Sequence, residues 1–558
     1  MTAATTHTHR APAAHDRLSR RAAVIGTWRM SRHILRRDRV RMAVWALSVA
    51  TFVAYFSVAL GTVFDEPARA ARAEVMRTPS GIVMGGPGYG LDHYTPMVAV
   101  ANEGTTWIVL ALSIMAVLHV VRHTRAEEES GRAELVRASV VGRHAPVAAA
   151  LLTLVAHLLV ITVLGTLASL AGEDASAVDG LGMMGGGALV SLVFGAAALV
   201  AGQVTASARG ATGVGLVVFA LAFVIRAAGD LIELEGSTLS WFSPVAWAQQ
   251  MRAFVDLRWW PALLAVVATA VLLALAASLS GRRDVGQGMV AARAGADRAP
   301  RWLRGTVAMA WRQQRTLLMW CLAGMVLLWF ATGTLMSTMQ DMATELVATN
   351  PALGALFGTD PTAFTSAFLA VMLLFVAVCA MAYAIVTAHQ HCRAEEAAAR
   401  LEIVLAAPVS RGRWLGAQLL VSALGVVALL IGSVIATWAG ALLVGVEEPR
   451  FGDYALAFAA YAPPTLVVGA LSAALFAWVP RRAGVSWLLL AVVLITSMFG
   501  ALLDLPDWVL GISPFHWVSE PFVEDFEVGG AVGVLVAALA LYALALVGFR
   551  RRDLQTQS

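Results

Sequence analysis

The sequence has 558 residues, 59% hydrophobic and 14% charged, with a mean hydropathy of +0.73 and a formal net charge of +4. Soluble domains carry roughly 25% charged residues, so a soluble enzyme or binding module is excluded, and no nucleic-acid partner is expected. All 40 basic residues are Arg; without Lys there is no P-loop lysine to meet nucleotide phosphates, so any ATP that drives this chain is bound by another polypeptide.

The first forty residues are Arg-rich and lack the apolar region and cleavage site of a removable signal peptide. The first apolar run is therefore expected to be a retained membrane helix. Apolar runs of about 20 residues, enough to cross a bilayer, recur near 42–62, 104–121, 147–171, 182–206, 211–228, 260–280, 317–338, 364–388, 414–445, 455–479, 485–503 and 529–549, with 95–104 as a possible extension of the second. Backbone groups in lipid must be satisfied within their own segment, so the fold class expected is an all-α polytopic membrane protein with twelve transmembrane helices. The basic segments 28–42 and 307–320 precede the first and seventh spans. In the former, Trp28, Met30, Ile34 and Leu35 can share a helical face, which predicts interfacial amphipathic helices; a plain basic topology anchor is the alternative.

Further along, the loop 63–103 holds a short charged helix (EPARAARAEVMR) and a Gly-rich turn (MGGPGYG). His119 and His157 are expected to be packing residues, and Arg226 and Asp230, spaced i, i+4, to pair with each other. Pro463 and Pro464 predict a bent or broken tenth helix, with no counterpart in the fourth. Cys321, Cys379 and Cys392 are not placed for an extracellular disulfide, and no metal-ligand spacing appears. With both termini inside, 33 of the 40 Arg fall on the cytoplasmic side, six in outer loops and one, Arg226, within a span, whereas 12 acids lie inside and 24 outside. That Arg asymmetry fits the positive-inside rule. Arg and Ala in place of Lys suit a GC-rich bacterial genome, so the chain is placed in a bacterial plasma membrane.

Three motifs occur twice in the same order. RAEEESGRAELVRASVVGR (125–143) aligns without a gap with RAEEAAARLEIVLAAPVSR (393–411); SPVAW (243–247) matches SPFHW (513–517); RRD recurs at 282–284 and 551–553. The chain therefore divides into a tail 1–25, a first six-helix half 26–284, a linker 285–302, a second half 303–553 and a tail 554–558. Six spans per half give both halves the same orientation, making them parallel repeats.

Read as a helix, 125–138 pairs Glu128 with Arg132, and Glu396 with Arg400, at i, i+4; Glu127 and Glu134, and Glu395 and Glu402, sit seven apart on one face. A loop serving only topology needs Arg alone, because acids contribute little to orientation. A mixed-charge segment kept in both halves is thus expected to meet a cytoplasmic partner rather than to be a merely solvated face.

This segment resembles the cytoplasmic loop of ABC-2 type transporter permeases, roughly Glu-x-Glu-x-Gly-Thr-x-Glu-x-Leu followed by Pro-Val-x-Arg. Glu127, Glu129, Gly131, Glu134 and Arg143 fall on the pattern, as do Glu395, Glu402, Pro408, Val409 and Arg411. Val140 replaces the Pro in the first half; Ala397 and Ala399 replace the middle Glu and the Gly in the second, so the two segments are expected to dock differently. The fused twelve-span form is similar to actinobacterial exporters of polyketide antibiotics, the tetronasin type. The resemblance implies that Glu127, Glu128, Glu129, Gly131, Arg132, Glu134, Arg143, Glu395, Glu396, Arg400, Glu402, Pro408 and Arg411 form two coupling helices. These would dock on two copies of a separate P-loop ATPase that holds ATP and Mg, with no cofactor, metal or catalytic residue in this chain. It further implies an outer gate at Ser243, Pro244, Trp247, Ser513, Pro514 and Trp517 within segments 241–258 and 511–527. A cavity for hydrophobic compounds is implied on the second and fifth spans of each half, where Met115, Phe219, Phe223, Met372, Phe375, Met498 and Phe499 fall; a Met/Phe lining adapts to large apolar cargo, but each is equally a packing residue.

The function expected is export of hydrophobic compounds, as in antibiotic or multidrug efflux. A gradient-driven 6+6 transporter is the alternative, disfavoured because no span carries an acid at its midpoint. A membrane enzyme with a metal at His389, His391 and Glu395 is a third reading; an electrostatic cap on the helix end explains those residues better.

Overall fold

The computed structural model describes residues 23–62, 66–282, 288–290, 298–340, 344, 361–397, 399–480, 482, 484–499 and 505–553. Among these, all regular structure is helical. The chain forms two compact units, Met1–Gly295 and Ala296–Ser558.

In the first unit, α1 (Thr27–Thr62) is followed by α2 (Glu66–Arg77), α3 (Pro79–Met84), α4 (Thr105–His123), the short α5 (Arg125–Glu129) and α6 (Arg132–Arg137), α7 (Ala145–Ser169), α8 (Ala177–Val204), α9 (Ala208–Ile232), the short α10 (Pro244–Gln249) and α11 (Trp260–Ser280). The second unit holds α12 (Thr306–Thr334), α13 (Pro361–Ile385), the short α14 (Cys392–Ala397) and α15 (Arg400–Leu405), α16 (Arg411–Leu443), α17 (Phe451–Trp478), α18 (Val485–Phe499) and α19 (Val528–Arg551). Eleven described helices are long and apolar enough to cross a bilayer, and a twelfth apolar helix, Val485–Ser497, is shorter. Much of the linker lies outside the described residues.

The packing order repeats. The first long helix lies against the third (α1 on α7, α12 on α16), and the fourth lies against the second and sixth (α8 against α4 and α11, α17 against α13 and α19). The central α8 is buried along most of its length because its GLGMMGGG stretch lets neighbours approach its backbone. The crossing of α12 and α16 is closer still. A Cβ on Gly333 would strike the carbonyl of Thr437, and one on Gly440 the carbonyl of Phe330.

Two expectations about helices change. Residues 28–42 are not a separate interfacial helix but the first turns of α1, and 307–320 likewise open α12. No Pro interrupts either stretch, and no Gly occurs in α1 before Gly61, so once nucleated the helix propagates. Of the bend or break expected in the tenth helix, the break does not occur, for α17 runs continuously through Pro463 and Pro464. Tyr461–Thr465 are all buried, and tertiary packing there outweighs the lost backbone bonds.

Candidate functional site

The repeated charged segment folds as two short helices in each unit. It is not one helix. Gly131 stands between α5 and α6 with φ 73°, and Ala399 stands before α15 with φ 56°. Both are left-handed, so the chain turns at the same point of each repeat. This overturns the expected i, i+4 pairs. Arg132 Nε reaches Glu127 (3.3 Å), and Glu128 pairs with Arg125 (2.8 Å). Arg400 grips Glu395 (2.8 Å), and Glu396 pairs with Arg552 (2.6 Å). The break also separates the acids expected on one face: Glu127 is half-buried and Glu134 exposed, while Glu395 is buried and Glu402 exposed.

Each segment is tied to three places in its own unit, and the ties correspond. From the first helix, Arg37 bonds Glu127 (2.9 Å) and Gln313 bonds Glu395 (3.4 Å). Toward the connection between the fourth and fifth helices, Arg125 donates to the Ala206 carbonyl (2.7 Å) and Arg393 to that of Pro480 (3.3 Å). Toward the end of the sixth, Arg143 donates to the Ser280 carbonyl (3.0 Å) and Arg411 to that of Arg552 (2.6 Å). The first unit adds one more tie: Glu129 accepts from the Ala208 N–H (2.7 Å) at the start of α9. That donor has no partner inside its helix and sits at the positive end of the helix dipole.

What remains unengaged at the tips is apolar and acidic. Leu135 and Ile403, equivalent in the repeat, are each 76% exposed beside exposed Glu134 and Glu402; Val140 and Pro408 are exposed as well. The candidate residues thus separate into struts (Glu127, Glu128, Glu129, Arg132, Arg143, Glu395, Glu396, Arg400, Arg411), hinges (Gly131, Ala399) and tips (Glu134, Glu402, Pro408). The sequence reading missed the apolar tips. A signal was present, since Leu135 and Ile403 occupy one register of the repeat, each directly after an acid, Glu134 or Glu402.

The SPxxW motifs also fold alike. Ser243 Oγ accepts from the Val245 N–H (3.2 Å) and Ser513 Oγ from that of Phe515 (3.3 Å). Trp247 Nε1 donates to the Trp241 carbonyl (2.8 Å), and Trp517 Nε1 to that of Gly511 (3.1 Å). Pro244 and Pro514 open the short helices that follow, where a missing N–H costs nothing. In the first unit Ser243 also donates to the Ala222 carbonyl of α9 (2.6 Å). The same α9 therefore meets the charged segment at Ala208 and the SPxxW motif at Ala222, about 21 Å apart along its axis at 1.5 Å per residue.

Residues 79–106, read from sequence mostly as a loop, are inserted into the bundle. Arg226 donates to the carbonyls of Ile82 (3.0 Å) and Val83 (2.8 Å) and pairs with Asp230 (3.5 Å), both charged side chains being buried. Ser240 donates to Asp230 (2.6 Å). Asn102 holds the Gly-rich turn through both the Tyr89 carbonyl (2.8 Å) and N–H (3.2 Å), and Gln249 donates to Gly85 O (3.0 Å) and Thr106 Oγ1 (2.6 Å). The expected Arg226–Asp230 pair is present; its use as a clamp on a distant segment was not legible.

The cavity candidates are placed by their own units only. Met115 and Phe219 lie buried in the first core, with Phe223 partly buried beside it; Met372 and Phe375 pack partly buried on the second core. The side chains of Met498 and Phe499 lie outside the described residues. His389, His391 and Glu395 do not come together as a ligand set among the described residues.

One family model, described as the C-terminal domain of the multidrug efflux system permease Rv1217c, matches residues 33–279 and again 303–550. The chain belongs to this family of multidrug efflux permeases. A relative of the same description, the multidrug efflux system permease protein Rv1217c of Mycobacterium tuberculosis (strain ATCC 25618 / H37Rv), is 34% identical over 557 residues, covering 98% of each chain. The double match makes each half of the permease a copy of one family unit. A multi-pass membrane protein for efflux, a transport subunit rather than an enzyme, accounts for both the helices and the relationship.

Proposed function

We propose that this permease is the membrane subunit of an ATP-driven exporter of ABC-2 type, similar to the tetronasin-type exporters of actinobacteria, and that it exports hydrophobic compounds. Its termini and charged segments face the cytoplasm. Two copies of a separate P-loop ATPase carry the ATP and Mg and sit one beneath each half. The observation that supports this most is the duplicated strut: an exposed acid–apolar tip, Glu134–Leu135 or Glu402–Ile403, on a segment tied to the first, fourth–fifth and sixth elements of its own unit. A partner that binds the tip acts on three helices at once, and α9 carries the displacement to the SPxxW end. A nucleotide shifts the transport equilibrium only by its differential affinity for the two states; the struts carry that difference into the membrane.

The test is co-purification with an ATPase encoded beside this gene, followed by ATPase and transport assays. Glu134→Arg with Glu402→Arg, or Leu135→Asp with Ile403→Asp, is expected to abolish capture of the ATPase while leaving the permease folded. Intact capture and substrate-stimulated hydrolysis in both double variants would sink the docking assignment. Transport that survives ATP depletion but collapses with the proton gradient would instead establish the gradient-driven alternative.

A further inference from the structure

Three ligating side chains converge where α1, α4 and α7 meet in the first unit. His119 and His123 lie one turn apart on α4, with ring centroids 4.7 Å apart. Asp38 approaches from α1, its Oδ2 2.7 Å from His123 Nε2. One ligand atom from each of the three lies within 4.8 Å of the others, and all three residues are buried. We propose that Asp38, His119 and His123 form a binding site for a divalent transition metal ion, with Zn²⁺ as the reference case.

The donor set is two imidazoles and one carboxylate. It suits Zn²⁺ and its first-row neighbours rather than Mg²⁺ or Ca²⁺, which take mainly oxygen ligands. Two His at i, i+4 present their nitrogens to one point beside a helix, and a third ligand from another element completes three of four tetrahedral positions. The surrounding groups orient the ligands. His119 Nε2 lies 3.2 Å from the Ala150 carbonyl and 3.0 Å from Thr153 Oγ1. A carbonyl only accepts, and Thr153 spends its own proton on the Ala149 carbonyl (2.9 Å); the imidazole proton is therefore on Nε2 and the Nδ1 lone pair is free to bind. Arg122 holds the other carboxylate oxygen, Asp38 Oδ1, at 3.2 Å, leaving Oδ2 on the histidine side. Such partners are the usual supports of metal ligands. The Arg122 charge lowers affinity for a cation without removing a ligand atom.

A pocket of about 430 Å³ is lined by Asp38 and His119 together with Trp45, Met115 and His157, and also by Arg41, Arg122 and Arg209; water reaches the Asp38–His119 side of the site, and the three guanidinium groups make it selective for a tightly held ion rather than a weakly bound one. His157 is tied by Nε2 to the Met42 carbonyl (3.0 Å), and its buried Nδ1 has no partner among the described residues. Among its described residues the second unit lacks the set. Gln313 reaches Glu395 as Arg37 reaches Glu127, which puts Gln314 in the place of Asp38, where it bonds Gln418 (2.7 Å). Thr387 stands for His119 and bonds Ser422 (2.5 Å). One metal per chain is expected. An ion there would staple α1 to α4 two residues before the charged segment begins at Arg125.

The test uses the full-length permease with His7, His9 and His15 changed to Ala, because those N-terminal histidines could bind metal on their own. After EDTA treatment it is titrated with Co²⁺ and, separately, Zn²⁺. One equivalent of Co²⁺ with the intense visible bands of a tetrahedral site, and a higher thermal midpoint with Zn²⁺, are expected. His119→Ala with His123→Ala should abolish the bands, and Thr153→Val should weaken binding about 10–100-fold, as loss of a supporting hydrogen bond does. Should the double variant not fold, X-ray absorption at the zinc edge of the tail variant decides alone, by a shell containing two imidazoles. No stoichiometric binding, bands that survive in the folded double variant, or a shell without imidazole would overturn the site.

Discussion

Gly131 and Ala399 stand 268 positions apart and adopt the same left-handed backbone, φ 73° and 56°. The second half makes with an L-residue the turn that the first makes with glycine. A left-handed L-residue costs roughly 1–2 kcal/mol, against a glycine entropy cost of roughly 0.5–1 kcal/mol. The turn is kept in the second half because Arg400–Glu395 and Glu396–Arg552 fix the chain on both sides of it.

Ala399→Gly is therefore expected to stabilise the permease by about 0.5–1 kcal/mol, and Gly131→Ala to destabilise it by about 1 kcal/mol. No side-chain clash confounds the second change, since nothing lies within 4 Å of a Cβ at position 131. Thermal unfolding in detergent measures both; equal effects of the same sign would contradict the strain.

Two of the ion pairs of the struts, Glu396–Arg552 and Glu127–Arg37, should differ in weight. Glu396 and Arg552 are 4% and 12% exposed at their side chains, and the Arg552 guanidinium also lies over Phe476 (4.7 Å) and Phe549 (5.1 Å). Glu396→Gln leaves a buried guanidinium without its counter-charge and is expected to cost several kcal/mol, the roughly 3–5 kcal/mol of a broken buried pair. Glu127→Gln, whose partners Arg37 and Arg132 are both open to solvent, is expected to cost about 1 kcal/mol or less. A double-mutant cycle on each pair separates the interaction from packing.

Arg226→Met removes the clamp on the inserted segment and leaves Asp230 buried with only Ser240 as a donor. Loss of about 3–5 kcal/mol is expected, with faster limited proteolysis between α2 and α4. Arg226→Met combined with Asp230→Asn should recover stability but not the protection, because the carbonyls of Ile82 and Val83 still lack their donor. Unchanged proteolysis in both variants would show that the segment is held by apolar packing alone.

In the SPxxW motifs, Ser243→Ala is expected to cost about 1–2 kcal/mol, since it removes a cap and a buried bond to Ala222. Ser513→Ala, which removes a cap alone, should cost about 1 kcal/mol or less. Trp247→Phe keeps an aromatic ring and loses the indole bond to Trp241. Transport assays on these variants then ask whether the motif gates or only packs.

Composition and repetition in the sequence determined that this is an all-helical membrane protein built twice. Hydropathy reports a local requirement, that each backbone group in lipid be bonded within its own helix, and a repeat is visible wherever residues are compared in register. The sequence also singled out the charged segment and the SPxxW motif, because charge in an apolar chain and proline beside serine are local signals. Tertiary structure decided the rest. Whether Arg132 met Glu128 or Glu127 depended on the sign of one φ angle, and Glu396 found Arg552, 156 residues away, because α19 ends beside it. Pro463 and Pro464 could not break α17 because their neighbours were buried. Asp38 joined His119 and His123 only when α1 was packed against the rest of its unit. Such pairings arise from which helix faces come together, and that is settled by packing summed over whole helices rather than by any short stretch of residues.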